Sequence, residues 1–309
     1  MLHFAHTLRR AILSAVSNDC FNIAQATAYS AIFALFPALI VSAALVSLLP
    51  GNVPLRYQIS EIFTRILPSN AIPLLRGYFA ANDAHSRHVI ISATVVSIIG
   101  ASGVLATLMD GFRRAYRTPV NQWTFWHRRR IALILVPMSL FPLAIISIVL
   151  ISGHYITVWL WHMVTPWLRV IVVILALAVR WLVAVLSSVS VIAVIYYKGT
   201  PVEHSFRRTL PGATIATLLW FLSTLGFGLY VTRFANYSQV YGSLGAGIAL
   251  LVWLYIIALS VLIGAEFNAQ LFGEGYDFPG YGETLRRMAR RHHLAHDGNA
   301  GSAGTRRSR

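Results

Sequence analysis

The chain has 309 residues, of which 57% are hydrophobic and only 11% charged, where an ordinary globular chain carries about 25% charge. Apolar runs near 20 residues long exclude an ordinary soluble domain and point to membrane-spanning helices. Cys20 is the single cysteine, which excludes an intrachain disulfide and a thiolate metal site, while a formal charge of +15 leaves nucleic acid or an anionic membrane surface as the partner.

In chain order, the first 25 residues read as a membrane-surface helix. Leu8, Ile12 and Val16 fall on one side and Arg9 and Arg10 away from it. Arginines in its middle and the lack of a long apolar core argue against a cleavable signal peptide, so the first hydrophobic span is expected to act as an uncleaved signal. Six spans follow, near residues 26–49, 89–109, 131–152, 181–197, 208–231 and 242–265. Twenty-two residues of helix rise about 33 Å, enough to cross a hydrocarbon core of about 30 Å. The fourth span has two readings: a helix that starts at Arg180 with that residue at an interface, or a longer tilted helix with an arginine near its middle. The cost of an unpaired mid-membrane arginine favours the first.

Lys and Arg counts test this division independently of hydropathy. They total 18 on the side that holds both termini and 7 on the other. Positive charge accumulates in the cytoplasm, so both termini are expected there and the number of spans should be even. Arg113, Arg114, Arg117, Arg128, Arg129 and Arg130 lie beside Trp123 and Trp126, the pattern of an interface with aromatic anchors. Topology therefore accounts for the basic residues, and no nucleic acid is expected as a partner. The expected surroundings are a bilayer with anionic lipids at its cytoplasmic face, with a homo-oligomer left open.

Within the spans, Pro37, Pro137 and Pro142 remove backbone donors and should kink their helices, or simply pack in a plain bundle. In the second span Ala93, Ser97 and Ala101 recur every four residues beside Gly100 and Gly103, a surface that lets another backbone approach. Gly245 and Gly247 in GSLGAG fit close packing at the entry to the last span; no strand precedes them and no Walker lysine follows, so a phosphate loop is not expected. From residue 273 the chain turns polar and basic, and its end cannot bury enough apolar surface to fold.

Ten acidic residues are scattered along the chain, with only Glu274 and Asp277 close neighbours. Metal-assisted hydrolysis needs carboxylates or histidines that converge, so neither an enzyme nor a cofactor is expected. His292 and His296 share a helical spacing without the glutamate of a zinc-protease motif. Polar residues at membrane depth or its edges remain: Gln25, Tyr29, Asp110, Arg180, Glu266 and Asn268. Asp110 precedes GFRRAYR, so it is either an interfacial acid paired with Arg113 or Arg114 or a transport group. Glu266 and Asn268 end the sixth span on the same side, and the two acids are expected in one layer facing a basic partner.

These blocks resemble a known family. ATAYSAIFALFPALI, IIGASGVLATLMDGFRRAYRTP, the WxxWHRRR at 123–130, RRTLPGATIATLLWF and FANYSQVYGSLGAGIALLVWLYIIALSVLIGAEFNAQL are similar, in order, to the YihY/BrkB family of bacterial inner-membrane proteins over roughly residues 18–272. The resemblance implies six transmembrane helices in an all-α integral membrane bundle. Its blocks fall on Tyr29, Phe36, Pro37, Asp110, Arg113, Pro211, Gly212, Tyr237, Tyr241, Gly242, Gly264, Glu266 and Asn268, with Pro211, Gly212 and Gly242 reading as kink or packing positions. VWLWHMVTPWLR at 158–169 and the basic tail depart from it. Members are variously described as virulence or serum-resistance factors, as transporters, or as ribonuclease BN. The expected function is transport or export of a lipid or amphipathic envelope component, with a non-transporting membrane scaffold as the alternative and a tRNA-processing ribonuclease as the third.

Overall fold

The computed structural model describes residues 2–47, 84–119, 123–142, 169–202, 204–233 and 244–273. Those residues form an all-α bundle: α1 (Leu2–Ser17), α2 (Cys20–Ser47), α3 (Ala84–Ala115), α4 (125–142), α5 (Arg169–Gly199), α6 (Phe206–Arg233) and α7 (Leu244–Leu271). Among the described residues five stretches are long and apolar enough to cross a membrane: Cys20–Leu39, Ile91–Ala115, Val170–Gly199, Phe206–Val231 and Gly247–Leu271. The remaining expected span, 131–152, is helical as far as residue 142, and its second half lies outside the described residues. Gly242 and the tail from residue 274 lie outside them too.

The helices pack around α7. It lies against α6 and α2 and also touches α1 and α3, while α2 lies along α3 and α5 along α6. The core is built from many alanines, among them Ala24, Ala193, Ala213, Ala258 and Ala265, around the larger Leu105, Met109, Phe112, Tyr196 and Leu262. Small residues serve because helices in lipid gain little from hiding apolar surface from one another and rely on close backbone packing. Gly100 shows the effect, since a Cβ built there would sit 3.0 Å from the Cα of Ala34 on α2. Outward positions carry large apolar side chains such as Val95, Ile174, Leu182, Leu222 and Leu229. Such a surface needs a hydrocarbon solvent.

Two boundaries differ from expectation. The surface helix ends at Ser17 rather than near residue 25, and α2 starts at Cys20. Asn18 and Asp19 form the turn, with Asp19 at φ 65°; an Asp tolerates this left-handed conformation better than most residues. The Asp19 carbonyl then accepts the amide of Ile23 at 3.1 Å and so opens α2. Along α1 the expected apolar stripe divides. Leu8 packs against a cluster of Ala11, Ile215 and Phe267, whereas Ile12 and Val16 are exposed. The face that α1 buries is the small one, Thr7, Ala11, Ser14 and Ala15.

The fourth span is the clearest correction. The helix begins at Arg169, not at Arg180, and runs unbroken for 31 residues. RVIVVILALAV contains no Pro or Gly to stop it, and β-branched residues are compatible with a helix once lipid removes competing water. Thirty-one residues rise about 46 Å, longer than a hydrocarbon core of about 30 Å, which such a helix accommodates by tilt. Arg180 is therefore a mid-helix residue, half-buried, as in the second of the two readings.

Three of the prolines do not end their helices: Pro37 is inside α2, Pro211 inside the first turns of α6 and Pro137 inside α4, while Pro142 is the last described residue of α4. Pro137 is exposed on α4 and Pro37 half-buried on α2.

Candidate functional site

Glu266 sits in the next-to-last turn of α7 with none of its surface exposed. Its Oε1 accepts a hydrogen bond from Asn18 Nδ2 at 2.7 Å and a weaker one from Cys20 Sγ at 3.7 Å. Asn18 Nδ2 also donates to Ser14 Oγ at 3.2 Å, so the acid rests on the turn between α1 and α2. Oε2 has no hydrogen-bond partner among the described residues. Both of these hydrogen bonds to Oε1 come from uncharged side chains. The same turn is tied to α3 from the other side: Asp19 Oδ2 meets Arg114 Nη1 at 3.2 Å, in an exposed ion pair.

Asn268 is also fully buried and points elsewhere. Two residues on a helix are turned by about 200°, so Glu266 facing α1 and α2 sends Asn268 towards α6. There Asn268 Oδ1 accepts the backbone amide of Gly212 at 2.7 Å, and its Nδ2 donates to the carbonyl of Thr209 at 3.1 Å. Pro211 lies between those two residues, where its ring disturbs the helical ladder and leaves backbone groups to be satisfied from outside. Gly212 and Gly264 bring the two backbones together, and a Cβ on Gly212 would collide with the Gly264 carbonyl and the Asn268 amide. Tyr196 of α5, fully buried, donates its hydroxyl to the carbonyl of Val261 beside the same crossing. Gly245 is buried near the start of α7.

Asp110 does not pair with Arg113 or Arg114 as expected. Its partner is Arg128 of α4, and Arg114 is taken by Asp19. Spacing alone allows the expected pair, since residues three and four apart share a helix face; tertiary neighbours decide instead, Asp19 at the α1–α2 joint taking Arg114 and Arg128 of α4 reaching Asp110. Arg113 closes the end of α3 with its carbonyl, which accepts from the amide and hydroxyl of Thr118 at 3.1 and 3.2 Å. Nor do Glu266 and Asp110 face a shared basic partner, since one is held by Asn18 and the other by Arg128.

Beside Asp110 opens a cleft of about 200 Å³ between α2, α3 and α4, lined by Ser30, Thr107, Asp110, Phe125, Arg128 and Arg129. Gly103 contributes its floor, where a built Cβ would meet only Arg129 Nη1, at 3.7 Å. Gly103 thus makes room for a side chain, whereas Gly100 makes room for a helix. Tyr29 is exposed on α2 and packs edge-on against Phe33, 4.8 Å between ring centres, so it belongs to the outer surface and not to the buried polar set.

Asn18, Cys20 and Arg129 are the site residues that sequence reasoning did not single out. The dipeptide Asn18–Asp19 between two apolar helical runs is a recognisable turn signal, but what the turn would touch is not written locally. Among the described residues no group of three or more His, Cys, Asp or Glu is close enough to hold a metal ion.

Comparison with known proteins assigns the chain to a family without assigning a reaction. The family model described as virulence factor BrkB matches residues 11–277. A Bacillus subtilis protein, YfkH, which carries a provisional ribonuclease-like name, is 25% identical over 247 residues, covering 79% of this chain and 87% of its own. A UPF0761 membrane protein of Tolumonas auensis is 26% identical over 246 residues, 79% of this chain and 78% of its own. A UPF0761 membrane protein of Vibrio vulnificus reaches 41% over a shorter block of 92 residues, 30% of this chain and 29% of its own. No solved structure matches the chain.

Proposed function

The chain belongs to the virulence factor BrkB family of membrane proteins, and from that premise we propose that it transports or exports a lipid or amphipathic envelope component across the bacterial inner membrane, with both termini cytoplasmic. The observation that carries this reading is Glu266, a carboxylate buried in a membrane-spanning helix with Oε2 left without a partner among the described residues. Such a group is costly in hydrocarbon and is retained where it serves movement of a substrate or ion. Its attachment supports the same role. Glu266 joins α7 to the α1–α2 turn through two side-chain hydrogen bonds, so a change in its charge acts directly on that joint.

The test is reconstitution of the purified chain in liposomes carrying fluorescent lipids, with quenching of the outer leaflet to read transbilayer movement. The wild type is expected to accelerate movement, and Glu266→Gln to lose most of that gain while it still inserts and elutes as a folded protein. A wild-type rate equal to that of empty liposomes sinks the proposal.

A second reading, a non-transporting scaffold, draws on Asn268, whose amide oxygen and nitrogen both bond to the α6 backbone and hold α6 to α7. It expects a stoichiometric partner in a crosslinking pull-down and no lipid movement. The ribonuclease name attached to YfkH applies to that relative; metal-dependent cleavage of tRNA by the purified chain would bring it here.

A further inference from the structure

We infer that the cleft between α2, α3 and α4 binds the phosphate of a lipid headgroup, with Arg129 as the anchoring cation. The argument begins with charge. The cleft holds two arginines and one acid. Arg128 is neutralised by Asp110, so Arg129 is the cation left over. One of its five N–H groups is committed among the described residues, Nη2 to the Ile99 carbonyl at 3.0 Å. That bond holds the guanidinium beside Gly103, with which it lines the cavity, and leaves its other N–H groups uncommitted among the described residues. A planar fork with a single uncompensated charge matches a phosphodiester, which carries one negative charge and paired oxygens.

The polar walls complete the fit. Ser30 Oγ donates to the Ala26 carbonyl and Thr107 Oγ1 to that of Gly103, both at 2.9 Å. Each hydroxyl has spent its single proton and can only accept. Arg129 therefore supplies donors for phosphate, while Ser30, Thr107 and Asp110 supply acceptors for a hydroxyl or ammonium beyond it. About 200 Å³ is room for roughly seven waters at their share of liquid volume. That suits a phosphate with a three-carbon alcohol and is too small for an oligosaccharide.

The rim decides for a lipid over a soluble phosphate ester. Phe125 at the mouth is 61% exposed, as are Tyr29 and Phe33, one on either side of Ser30 along α2, and Ile99 is half-exposed on α3. Acyl chains attached to a phosphate in the cleft would lie along that apolar flank. In this arrangement the arginine stays at the headgroup level and the chains remain in hydrocarbon, as expected for a snorkelling side chain at a helix end.

This inference names a substrate class for the transport reading and rests on it for biological meaning, but its test is separate. The purified full chain is incorporated in vesicles of equal phosphatidylcholine and phosphatidylglycerol, gently extracted, and its retained lipid quantified by mass spectrometry. Wild type should retain phosphatidylglycerol well above the input ratio, and Arg129→Gln should fall by about tenfold, the scale of one lost charge-assisted hydrogen bond pair. Arg130→Gln, which removes an exposed neighbouring charge outside the cleft, should retain the wild-type enrichment. Wild-type retention at the input ratio overturns the inference without any variant, as does equal loss in Arg129→Gln and Arg130→Gln, which would mean general attraction to a basic surface. Displacement of the lipid by millimolar inorganic phosphate overturns the lipid assignment in favour of a soluble anion. Enrichment without transbilayer movement would defeat the transport reading and leave the site standing; movement without enrichment would do the reverse.

Discussion

Asn18 and Glu266 are 248 positions apart in the chain, and their side chains meet at 2.7 Å. The contact joins the first turn of the protein to the last membrane-spanning helix. It ties the α1–α2 joint to that helix, because the amide of Asn18 gives the buried carboxyl its 2.7 Å hydrogen bond, with the Cys20 thiol further off at 3.7 Å.

Removing that donor should cost stability. Asn18→Ala removes the 2.7 Å hydrogen bond to Glu266 Oε1, a loss of about 1–3 kcal/mol for a buried hydrogen bond to an ionisable group. Asn22→Ala, which breaks an exposed bond to Asp19 at 2.9 Å, serves as the control and should change little. Thermal unfolding followed by intrinsic fluorescence in a fixed detergent compares them, and equal midpoints for the two variants would refute the role given to Asn18.

The α6–α7 crossing should be intolerant of side chains. Gly212→Val and Gly264→Val put carbon where the opposite backbone lies, so overpacking of about 3 kcal/mol or more is expected, with loss of monodisperse protein on size exclusion. Gly226→Ala, on the same α6 with nothing within 4 Å of a built Cβ, should be recovered at wild-type yield. Good recovery of both valine variants would mean that the helices do not cross there.

Charge reversal tests the Asp110–Arg128 pair. Asp110→Arg and Arg128→Asp should each lower the melting midpoint, and the double swap should restore part of it. Both side chains are about a third exposed, so a coupling of about 1 kcal/mol is the expected scale. A double variant no better than the sum of the singles would assign Asp110 another partner.

Topology is testable with the lone cysteine removed. On a Cys20→Ser background, a cysteine at Arg130 or Asp297 should react with a membrane-impermeant maleimide only after the cytoplasmic side is opened. One at Arg56 should react in intact spheroplasts. Reaction of Asp297→Cys from outside would break the even count of spans.

Much of this architecture was legible without coordinates. Hydropathy located every span that the structure describes, because the cost of exposing backbone and charge to hydrocarbon is paid residue by residue along one helix. Gly100 was readable as a packing position for the same local reason. The start of α5 was misjudged at Arg180 because a single charge looks like a boundary in sequence, whereas a helix without Pro or Gly continues through it. The partner of Asp110 was misjudged because nearest neighbours in sequence are not nearest in space.

What the sequence by itself determined, then, is an all-helical membrane chain with acids and an amide at helix ends, since composition and periodicity act through short-range preferences that each segment carries alone. What only the tertiary structure decided is which groups those residues meet: Glu266 with Asn18, Asn268 with the backbone around Pro211, Asp110 with Arg128, and Arg129 with an open cleft. The physical reason is that a helix fixes the angle between Glu266 and Asn268, but the packing of small residues against distant backbones fixes what stands at each angle.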